Sequence, residues 1–544
     1  MRSRFFITLL VCVSLVVIAT QLVTGASPKP GTQLGSVSPD GWEMVGIGID
    51  YKEFHLDDPN RVYVARLDRQ NTAATLDSSI ASGSLASGTE LVSNMARRYD
   101  DSLSFWGGSW GARNKVVVAI NGSYFSGDGW PQSGQFISGW YTKRFSDMGG
   151  GSGFAWKMDR TAFMGGCIYH RPEKQVVTFL ATGNTQRLDG LNVPRRLNEL
   201  ILYTPQLAAN TGTDNNGAEV LVELTKPAML IPPPAYVAGH VVAISDGRGS
   251  TVIPFDSVVL SANGLARETL LENVHIGDEI GISQEITTYE ADCQTPQSTS
   301  WAKTYASVGG AYLFLKDGEV QKFDDKGALD RHPRTAIVYN DDYVYFVVVD
   351  GRYPDASIGM TIRELARFTR DTLGVSWGMA LDGGGSSTLV VNGKVMNQPS
   401  DACYTVYVPQ VNKGGALEKF PQEAGTPMGT PAPSRLPGCE RPVANGMLMV
   451  NLAPMERSHT YKPKDSVIAR QLFPLRLGPG NNFLVLTNIP AGKAGVIQNH
   501  STSLDGVLAS GSYWWLVSFG KFTGWAPEEI LLRYNPVGID NLIQ

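Results

Sequence analysis

Residues 331–351, RHPRTAIVYNDDYVYFVVVDG, contain two apolar runs separated by the polar triplet Asn-Asp-Asp. Short runs rich in β-branched and aromatic residues around such a triplet are typical of two antiparallel strands joined by a turn. We therefore predict a hairpin whose second strand is Tyr343–Val349. Counting back from the turn puts Arg334 and Asp350 on the same edge of the sheet.

A helix is predicted directly after this hairpin. Thr361 and Glu364 have the spacing of a capping box, and Gly374 occupies the position at which helices commonly end. Apolar residues recur between these limits at helical spacing, so the helix is expected to begin at Thr361 and to end near Leu373.

The strand that follows the helix ends at Asp382. Two strands joined by a right-handed helical crossover are parallel, and their carboxyl ends face the same way. With these strands as neighbours, Asp350 and Asp382 are expected on one rim, where open α/β sheets bind ligands.

Residues 382–388, DGGGSST, form a glycine-rich segment at this rim. Glycines let main-chain amides approach a ligand without interference from a Cβ atom. Asn392-Gly393 then predicts a type I′ hairpin, so a strand rather than a helix is expected after the glycines. This order excludes Walker A and Rossmann phosphate loops, which need a helix at that point.

Five runs in a fixed order give the chain a resemblance to the phosphodiester glycosidase family. They are NGSYF (121–125), RHPRTAI (331–337), VVVDGR (347–352), GMTIRELA (359–366) and LDGGGSST (381–388). The resemblance covers about residues 45–412. It implies hydrolysis of a sugar-1-phosphodiester at the glycosidic C1–O bond.

The resemblance also implies a set of active-site residues. The expected catalytic residues are Asp350, Asp382 and Arg334, and the expected substrate-binding residues are Asn121, His332, Thr335, Arg352, Gly383, Gly384, Gly385 and Ser386. Glycoside cleavage usually needs two carboxylates, and a phosphate leaving group is held well by arginines and main-chain amides. Asp350 and Asp382 would supply the nucleophile or base, while Arg334 and Arg352 would bind phosphate. His332 is either a phosphate contact or a structural histidine.

No cofactor or metal is expected from the sequence. The chain has seven histidines, and none lies in an H-x-x-H arrangement with another. The four cysteines after residue 26 are widely spaced, and no C-x-x-C pair occurs among them. Zinc sites with short ligand spacing are therefore not predicted. An exported chain can form disulfides, and Cys403–Cys439 is the favoured pair.

The N-terminus predicts export. Arg2 and Arg4 precede an apolar run from Phe5 to Ala19, and small residues follow at 24–26. This pattern is typical of a signal peptide, here residues 1–26, and fifteen apolar residues are too few for a comfortable membrane span. The mature protein is expected to be secreted or in a bacterial cell envelope, with no stable membrane insertion.

The C-terminal part resembles bacterial SH3-like (SH3b) domains. The motifs are LRLGPG (475–480), YWWLV (513–517) and GWAP (524–527). A proline-rich change in composition predicts a linker at 413–465, which separates a catalytic domain at 44–412 from this module at 466–535. The module either binds cell-wall peptidoglycan or is a purely structural barrel.

Composition limits the remaining choices. The chain has 544 residues, 59 of them glycine, and a formal net charge of −5 without any Lys/Arg-dense block, so a nucleic-acid partner is not expected. The predicted fold is α+β: a β-rich, mixed-sheet catalytic domain with few helices and a small C-terminal SH3-like β-barrel. The expected partner is a glycan or sugar-phosphodiester substrate. The alternatives are a non-catalytic glycan- or wall-binding protein and a phosphodiesterase that cuts P–O.

Overall fold

The structure is a computed structural model. The residues that it describes are 34–100, 103, 105–106, 109–110, 115–145, 152–169, 172–225, 237–284, 286–289, 296–297, 301, 303–401, 438–452, 457–481, 483–500, 506–509 and 511–534. The predicted signal peptide, Cys293, Cys403 and residues 413–437 of the predicted linker lie outside the described residues.

The described part of the chain contains four α-helices: α1 (Val92–Asp100), α2 (Leu265–Asn273), α3 (Lys326–Leu329) and α4 (Ile362–Leu373). The prediction for α4 is confirmed at both ends, because Thr361 and Glu364 form both hydrogen bonds of a capping box and Gly374 ends the helix with a φ of 65°. Among the described residues, no helix has the length and apolar character needed to cross a membrane.

Strands make up most of the regular structure. The strands before residue 170 are β1 (Glu43–Gly46), β2 (Ile49–Leu56), β3 (Asn60–Asp68), β4 (Ala74–Ile80), β5 (Phe105–Trp106), β6 (Ser109–Trp110), β7 (Lys115–Asn121), β8 (Gln135–Ile137), β9 (Trp140–Lys143), β10 (Ser152–Lys157), β11 (Ala162–Gly165) and β12 (Ile168–Tyr169). The next strands are β13 (Gln175–Phe179), β14 (Thr185–Arg187), β15 (Gly190–Leu191), β16 (Leu200–Tyr203), β17 (Gly217–Leu224), β18 (Val237–Asp246), β19 (Ser257–Asn263), β20 (Glu279–Gln284), β21 (Thr287–Tyr289) and β22 (Pro296–Gln297).

The strands from residue 304 onward contain the predicted hairpins. They are β23 (Thr304–Gly310), β24 (Tyr312–Lys316), β25 (Glu319–Val320), β26 (Arg334–Tyr339), β27 (Tyr343–Val349), β28 (Trp377–Ala380), β29 (Leu389–Val391), β30 (Lys394–Val395), β31 (Asn445–Asn451), β32 (Ser466–Ala469), β33 (Phe473–Arg476), β34 (Val485–Ile489), β35 (Ala494–Ile497), β36 (Gly506–Ala509), β37 (Ser512–Phe519), β38 (Phe522–Pro527) and β39 (Leu531–Arg533).

Four sheets position the sites described below. Sheet I has the order β1-β2-β3-β27-β26-β28-β24-β25, sheet II the order β30-β29-β7-β31-β4, and sheet III the order β14-β13-β20-β18-β17-β19-β16-β15. The C-terminal sheet has the order β34-β33-β38-β37-β35-β32-β39, with β36 paired to β37. β-rich architecture with few helices, as predicted, is confirmed.

Sheet I has an apolar layer on each face, because side chains of a strand alternate between its two faces. One layer packs against α4 and the other against sheet II. The α4 side buries Ala336, Val338, Val347, Leu365 and Ala366, and the sheet II side buries Ile337, Phe346, Val348, Ile120 and Met447. The predicted site residues Asn121 and Arg334 lie at the edge where sheets I and II meet.

The hairpin prediction is confirmed, but the condition for the shared rim, that the two parallel strands are neighbours, is not met. Arg334 pairs with Val349 in the antiparallel β26–β27 ladder, as the turn count predicts. β28, however, pairs with β26 rather than with β27, so the crossover through α4 passes over one strand. β27 and β28 still run in the same direction, because each is antiparallel to β26.

The predicted mixed sheet is also wrong for sheet I, in which every pairing is antiparallel. Among the described ladders a parallel pairing occurs between β15 and β16 of sheet III. Strands joined by a helix often lie side by side, but β27 and β28 do not. The hairpin strand β26 takes that place instead.

Part of the predicted linker belongs to the core. Asn445–Asn451 forms β31, which pairs with β7 on one side and with β4 on the other, in the interior of sheet II. The boundary of 413–465 is therefore wrong for this segment, because the proline-rich composition before it hid a short apolar strand.

The C-terminal sheet also packs on sheet III, with the Phe255 ring 5.9 Å from Phe483 and 5.7 Å from Trp525.

Candidate active site

The candidate site lies where the ends of β7, β26 and β28 meet between sheets I and II. Two main-chain hydrogen bonds fix the segment after β28. Leu381 N donates to Thr335 O at 2.8 Å, and Asp382 N donates to Gly122 O at 3.0 Å. The segment that carries Asp382 is thus held by both sheets.

Asn121, at the end of β7, holds this junction with its side chain. Its Nδ2 donates to Asp382 O at 2.7 Å, while its Oδ1 accepts from Thr335 Oγ1 at 2.8 Å and from Thr388 N at 3.2 Å. Asn121 and Thr335 are fully buried. Both residues therefore position the loop, and their contact with substrate stays a prediction.

The glycine-rich segment is tightly packed. Gly384–Ser386 forms one 3₁₀ turn within this segment, and the strand β29 follows it, as predicted. A Cβ atom on Gly383 would lie 2.8 Å from Pro333 O, and one on Gly385 would lie 2.6 Å from Arg441 Nη2. Gly384 has a φ of 63°. Glycine is therefore required at Gly383 by a backbone contact and at Gly384 by backbone conformation, whereas a Cβ atom at Gly385 would displace the Arg441 guanidinium group.

The predicted hairpin after this turn is confirmed. β29 and β30 are joined by Asn392 and Gly393, which both have positive φ angles of 48° and 78°. Two such angles are the requirement of a type I′ turn.

Asp382 has a buried carboxyl with 8% of the residue exposed. Burial raises its pKa to about 6, and the Ser386 hydroxyl, the Arg441 charge and the Gly383 N–H oppose that rise. The carboxyl is thus largely ionised at neutral pH but gains a proton readily in weak acid. Such a group can act as a base or a nucleophile near neutral pH.

Asp350 is held differently. Its Oδ1 accepts from Asn397 Nδ2 at 3.0 Å, and its Oδ2 accepts from Gln398 N at 3.0 Å. Burial raises the pKa of Asp350 to about 6. The hydrogen bonds from Asn397, Gln398 and Tyr63 lower this pKa and so offset part of the rise. With 2% of the residue exposed, Asp350 fastens the 397–398 segment beside the glycine-rich loop.

Arg334 does not pair with Asp350, although the two residues share a sheet edge as predicted. Arg334 faces the α4 side of sheet I, and the next residue on the partner strand points to the other face. Its Nε donates to Met360 O at 2.8 Å, and its Nη2 donates to Gly327 O and to Asp330 O, each at 2.7 Å. Nη1 makes no hydrogen bond with any described residue and so remains available to a ligand.

Arg352 and His332 lie beside Arg334. Arg352 has a φ of 68°, and its Nη2 would be 2.9 Å from a Cβ atom on Gly384. The pKa of His332 is lowered by burial first and then by the charges of Arg334 and Arg352. The neutral form of His332 is therefore favoured by burial and by two nearby cations.

Two residues of this site were not predicted from the sequence. Arg441 donates from Nη1 to Ser386 Oγ at 3.5 Å and from Nε to Asp401 Oδ2 at 2.8 Å. Burial raises the pKa of Tyr124, the Asp382 charge adds to this rise, and the Arg334 charge opposes it. Tyr124 therefore lies near both Asp382 and Arg334. Tyr124 lies within the quoted NGSYF run, whereas Arg441 lies in the predicted linker.

One sequence signal pointed to Arg441. The predicted Cys403–Cys439 pair would bring residue 441 close to residue 401. Cys439 does form a main-chain bridge with Asp401. Cys403 lies outside the described residues, so the disulfide stays a prediction.

The three arginines Arg334, Arg352 and Arg441 lie beside the segment that carries the buried Asp382 carboxyl and make this edge positively charged. Arg334 lies near Gly383, and Arg441 lies near Gly385. Arg352 covers the glycine between them. Planar guanidinium groups and main-chain N–H groups are the donors that phosphate oxygens prefer.

Comparisons with known proteins show a region that is similar to one family. A family model described as phosphodiester glycosidase matches residues 235–411, which include Arg334, Asp350, Arg352 and Asp382 but not Asn121 or Arg441. No curated protein matches the chain.

Three solved structures show distant likeness. A hypothetical protein from Synechocystis has a TM-score of 0.44 and 14% identity, with 74% of this chain and 62% of that chain covered, so the match spans less than two thirds of that protein. A protein of Burkholderia pseudomallei has a TM-score of 0.44 and 19% identity over 73% of this chain and 74% of that chain. The catalytic domain of zebrafish N-acetylglucosamine-1-phosphodiester α-N-acetylglucosaminidase, auto-inhibited by its pro-peptide, has a TM-score of 0.33 and 13% identity over 80% of this chain and 87% of that chain. The family model alone shows that residues 235–411 are similar to the phosphodiester glycosidase family.

Proposed function

We propose that this protein is a secreted hydrolase that cleaves the glycosidic C1–O bond of sugar-1-phosphodiesters. The observation that carries the proposal is the buried Asp382 carboxyl, with a pKa of about 6, beside a glycine-rich turn and three arginines. Asp382, Arg334 and Arg352 lie inside the region that the phosphodiester glycosidase family model matches, and Arg441 lies outside it.

Asp382 is the best candidate for the reacting carboxylate. Its charge can attack the anomeric carbon or activate a water there, and the Asp382 carboxyl accepts hydrogen bonds from Ser386 and Gly383, whereas the Asp350 carboxyl is held by Asn397, Gln398 and Tyr63. Asp350 then acts as a positioning residue through Asn397 and Gln398. Glycoside cleavage usually uses two carboxylates, but a phosphate leaving group is a stable anion and needs less help from a general acid.

The arginines would hold the departing phosphate. When the C1–O bond breaks, the electron pair stays on the phosphate oxygen, and the oxygen of water ends on C1. Negative charge therefore grows on the leaving group, where Arg334 Nη1, Arg352 and Arg441 can donate to it. No strong general acid is needed for this step.

The cellular setting is part of the proposal. The signal peptide at 1–26 would export the chain to the bacterial cell envelope or beyond, and a Cys403–Cys439 disulfide is compatible with that compartment. The C-terminal sheet, with its SH3b-like motifs, would be an SH3-like module that attaches the enzyme to peptidoglycan, so that wall or extracellular glycans become its substrates.

Hydrolysis in ¹⁸O-labelled water tests the bond that breaks. An N-acetylglucosamine-1-phosphodiester is incubated with the enzyme, with Asp382→Asn, and with the exposed-site control Asp355→Asn. The proposal expects label in the sugar for the enzyme and the control, and no turnover for Asp382→Asn. Label in the phosphate would identify a phosphodiesterase, and absence of turnover on any sugar-1-phosphodiester would favour a glycan-binding protein.

A further inference from the structure

A second cluster of polar side chains lies far from the candidate active site in the fold, between sheet III and the C-terminal sheet. Glu223 belongs to β17, Asp256 immediately precedes β19, and His500 follows β35 of the C-terminal sheet. One ligand atom from each of the three residues lies within 4.8 Å of the other two. The cluster is therefore built from both packed units.

The distances within the cluster suit a shared ligand. His500 Nε2 lies 2.8 Å from Asp256 Oδ2 and 3.7 Å from Glu223 Oε1. Donor atoms that bind one Zn²⁺ ion, each at about 2.0–2.2 Å, lie roughly 3–4 Å from one another. The three atoms already approximate that spacing.

Asp256 Oδ2 has an unusual environment. The Asp256 side chain is 6% exposed, yet Oδ2 makes no hydrogen bond with any residue that the structure describes. A ring N–H 2.8 Å away would ordinarily donate to it, so the N–H direction does not meet this oxygen. The two atoms lie at ion-pair distance, and the close approach of a ring nitrogen and a carboxylate oxygen also fits two ligands of one cation. An unmatched buried carboxylate oxygen otherwise costs free energy.

Aromatic rings surround the cluster. The His500 ring centroid lies 6.3 Å from that of Phe255 and 6.0 Å from that of Trp525. An apolar shell limits water access and strengthens the attraction between a cation and its ligands. The same rings form the contact between the C-terminal sheet and sheet III.

We propose that Glu223, Asp256 and His500 bind one Zn²⁺ ion, which fastens the C-terminal sheet to sheet III. One imidazole and two carboxylates are ligands that zinc accepts, and water would complete the tetrahedron. Ca²⁺ and Mg²⁺ prefer oxygen ligands alone, so the histidine selects against them. The site does not depend on the glycosidase proposal.

Zinc content and thermal unfolding of the full-length protein without an affinity tag test this site. The protein is stripped with EDTA, desalted, titrated with ZnCl₂, and its bound zinc is measured by mass spectrometry. We expect about one zinc per chain and a higher Tm with zinc than without it, because an ion that binds only the folded state stabilises that state. CaCl₂ at the same concentration should change neither quantity.

The variants Asp256→Asn and Glu223→Gln keep the shape of the side chain but weaken the ligand. We expect at least roughly tenfold weaker zinc binding and no zinc-dependent rise in Tm. His275→Gln is the matched control, because His275 pairs with Asp278 at 3.4 Å on the surface without a third ligand. That control should bind zinc like the parent protein.

Three results would overturn the proposal. Wild-type protein that takes up no zinc at micromolar concentration would make the cluster a histidine–carboxylate ion pair. Zinc binding that survives unchanged in both variants would place the metal elsewhere. An equal rise in Tm with Ca²⁺ would contradict the zinc assignment. Folding of each variant is checked by circular dichroism, and Glu223→Gln, at a partly exposed side chain, provides a second variant should Asp256→Asn fail to fold.

Discussion

Asn121 Nδ2 donates a 2.7 Å hydrogen bond to the main-chain carbonyl of Asp382. This contact joins the end of β7 in sheet II to the segment after β28 in sheet I. A carboxylate on a loop is held in place only as well as the loop itself, and here a buried side chain from the facing sheet supplies that support.

Asn121→Ala should therefore affect both stability and activity. The change leaves Asp382 O, Thr335 Oγ1 and Thr388 N without their partner, at about 1–3 kcal/mol for each buried group that stays unmatched. We expect a lower free energy of unfolding in urea and a kcat reduced about tenfold to a hundredfold, since the loop shifts. Asn216→Ala, at an exposed turn, is the control and should change neither. An Asn121→Ala protein with normal kcat would show that this hydrogen bond does not position Asp382.

Local signals in the sequence predicted local structure well. The ends of α4, the β26–β27 register and the type I′ turn at Asn392-Gly393 all follow from caps, turns and periodicity within a few residues. Pairing between distant segments has no such signal. β31 therefore escaped prediction, and the condition that β27 and β28 are neighbours is not met, because neither strand shows which neighbour it has.

The same limit applies to the candidate site. Arg334, Asp350 and Asp382 follow strands, and this position marked them as candidates. Arg441 follows a proline-rich segment, and it reaches the loop only through the contact between Asp401 and the 439–441 segment. The cluster of Glu223, Asp256 and His500 has no short-spacing motif, so the rule for zinc that excluded metals could not detect it.

Asp382→Asn and Asp350→Asn should separate chemistry from positioning. Asp382→Asn is expected to lower kcat about 10²–10⁴-fold with little change in Tm, because it removes the charge that reacts. Asp350→Asn should lower Tm, because its new NH₂ group faces the donors Asn397 Nδ2 and Gln398 N. Activity per folded molecule should fall less than in Asp382→Asn. Both quantities are measured by steady-state kinetics and thermal unfolding on the same preparations, and the opposite pattern would exchange the two roles.

The pH dependence of kcat/KM should have an acid limb near pH 6. The pKa of Asp382 is about 6, so its reactive ionised form is lost as the pH falls through that value. The Arg441 charge lowers this pKa, so Arg441→Gln should move the limb to higher pH. Arg331→Gln, which removes an exposed arginine paired with Asp58 and Glu364, is the control and should leave the limb in place. An unmoved limb in Arg441→Gln would mean that another group controls it.

Substitution of Arg352 should change phosphate selectivity alone, whereas substitution of Arg334 should also change stability. Arg352→Gln is expected to lower kcat/KM at least about tenfold on a sugar-1-phosphodiester, and little on an uncharged aryl glycoside of the same sugar. Arg334→Lys should lower activity on both substrates and also lower Tm, because the guanidinium bonds three main-chain carbonyls. Equal losses on both substrates for Arg352→Gln would remove it from the phosphate site.

Truncation before β31 should prevent folding of the whole catalytic region. A chain that ends at Lys419 lacks Asn445–Asn451, so β7 and β4 lose the strand between them and expose their main-chain donors and acceptors. A chain that ends at Leu452 keeps this strand and loses only the C-terminal sheet, although it exposes Phe255. We expect the shorter chain to be insoluble or proteolysed at once, and the longer one to show a cooperative thermal transition. Cooperative unfolding and hydrolysis by the chain ending at Lys419 would show that β31 is dispensable and that the region before the proline-rich segment is a complete domain.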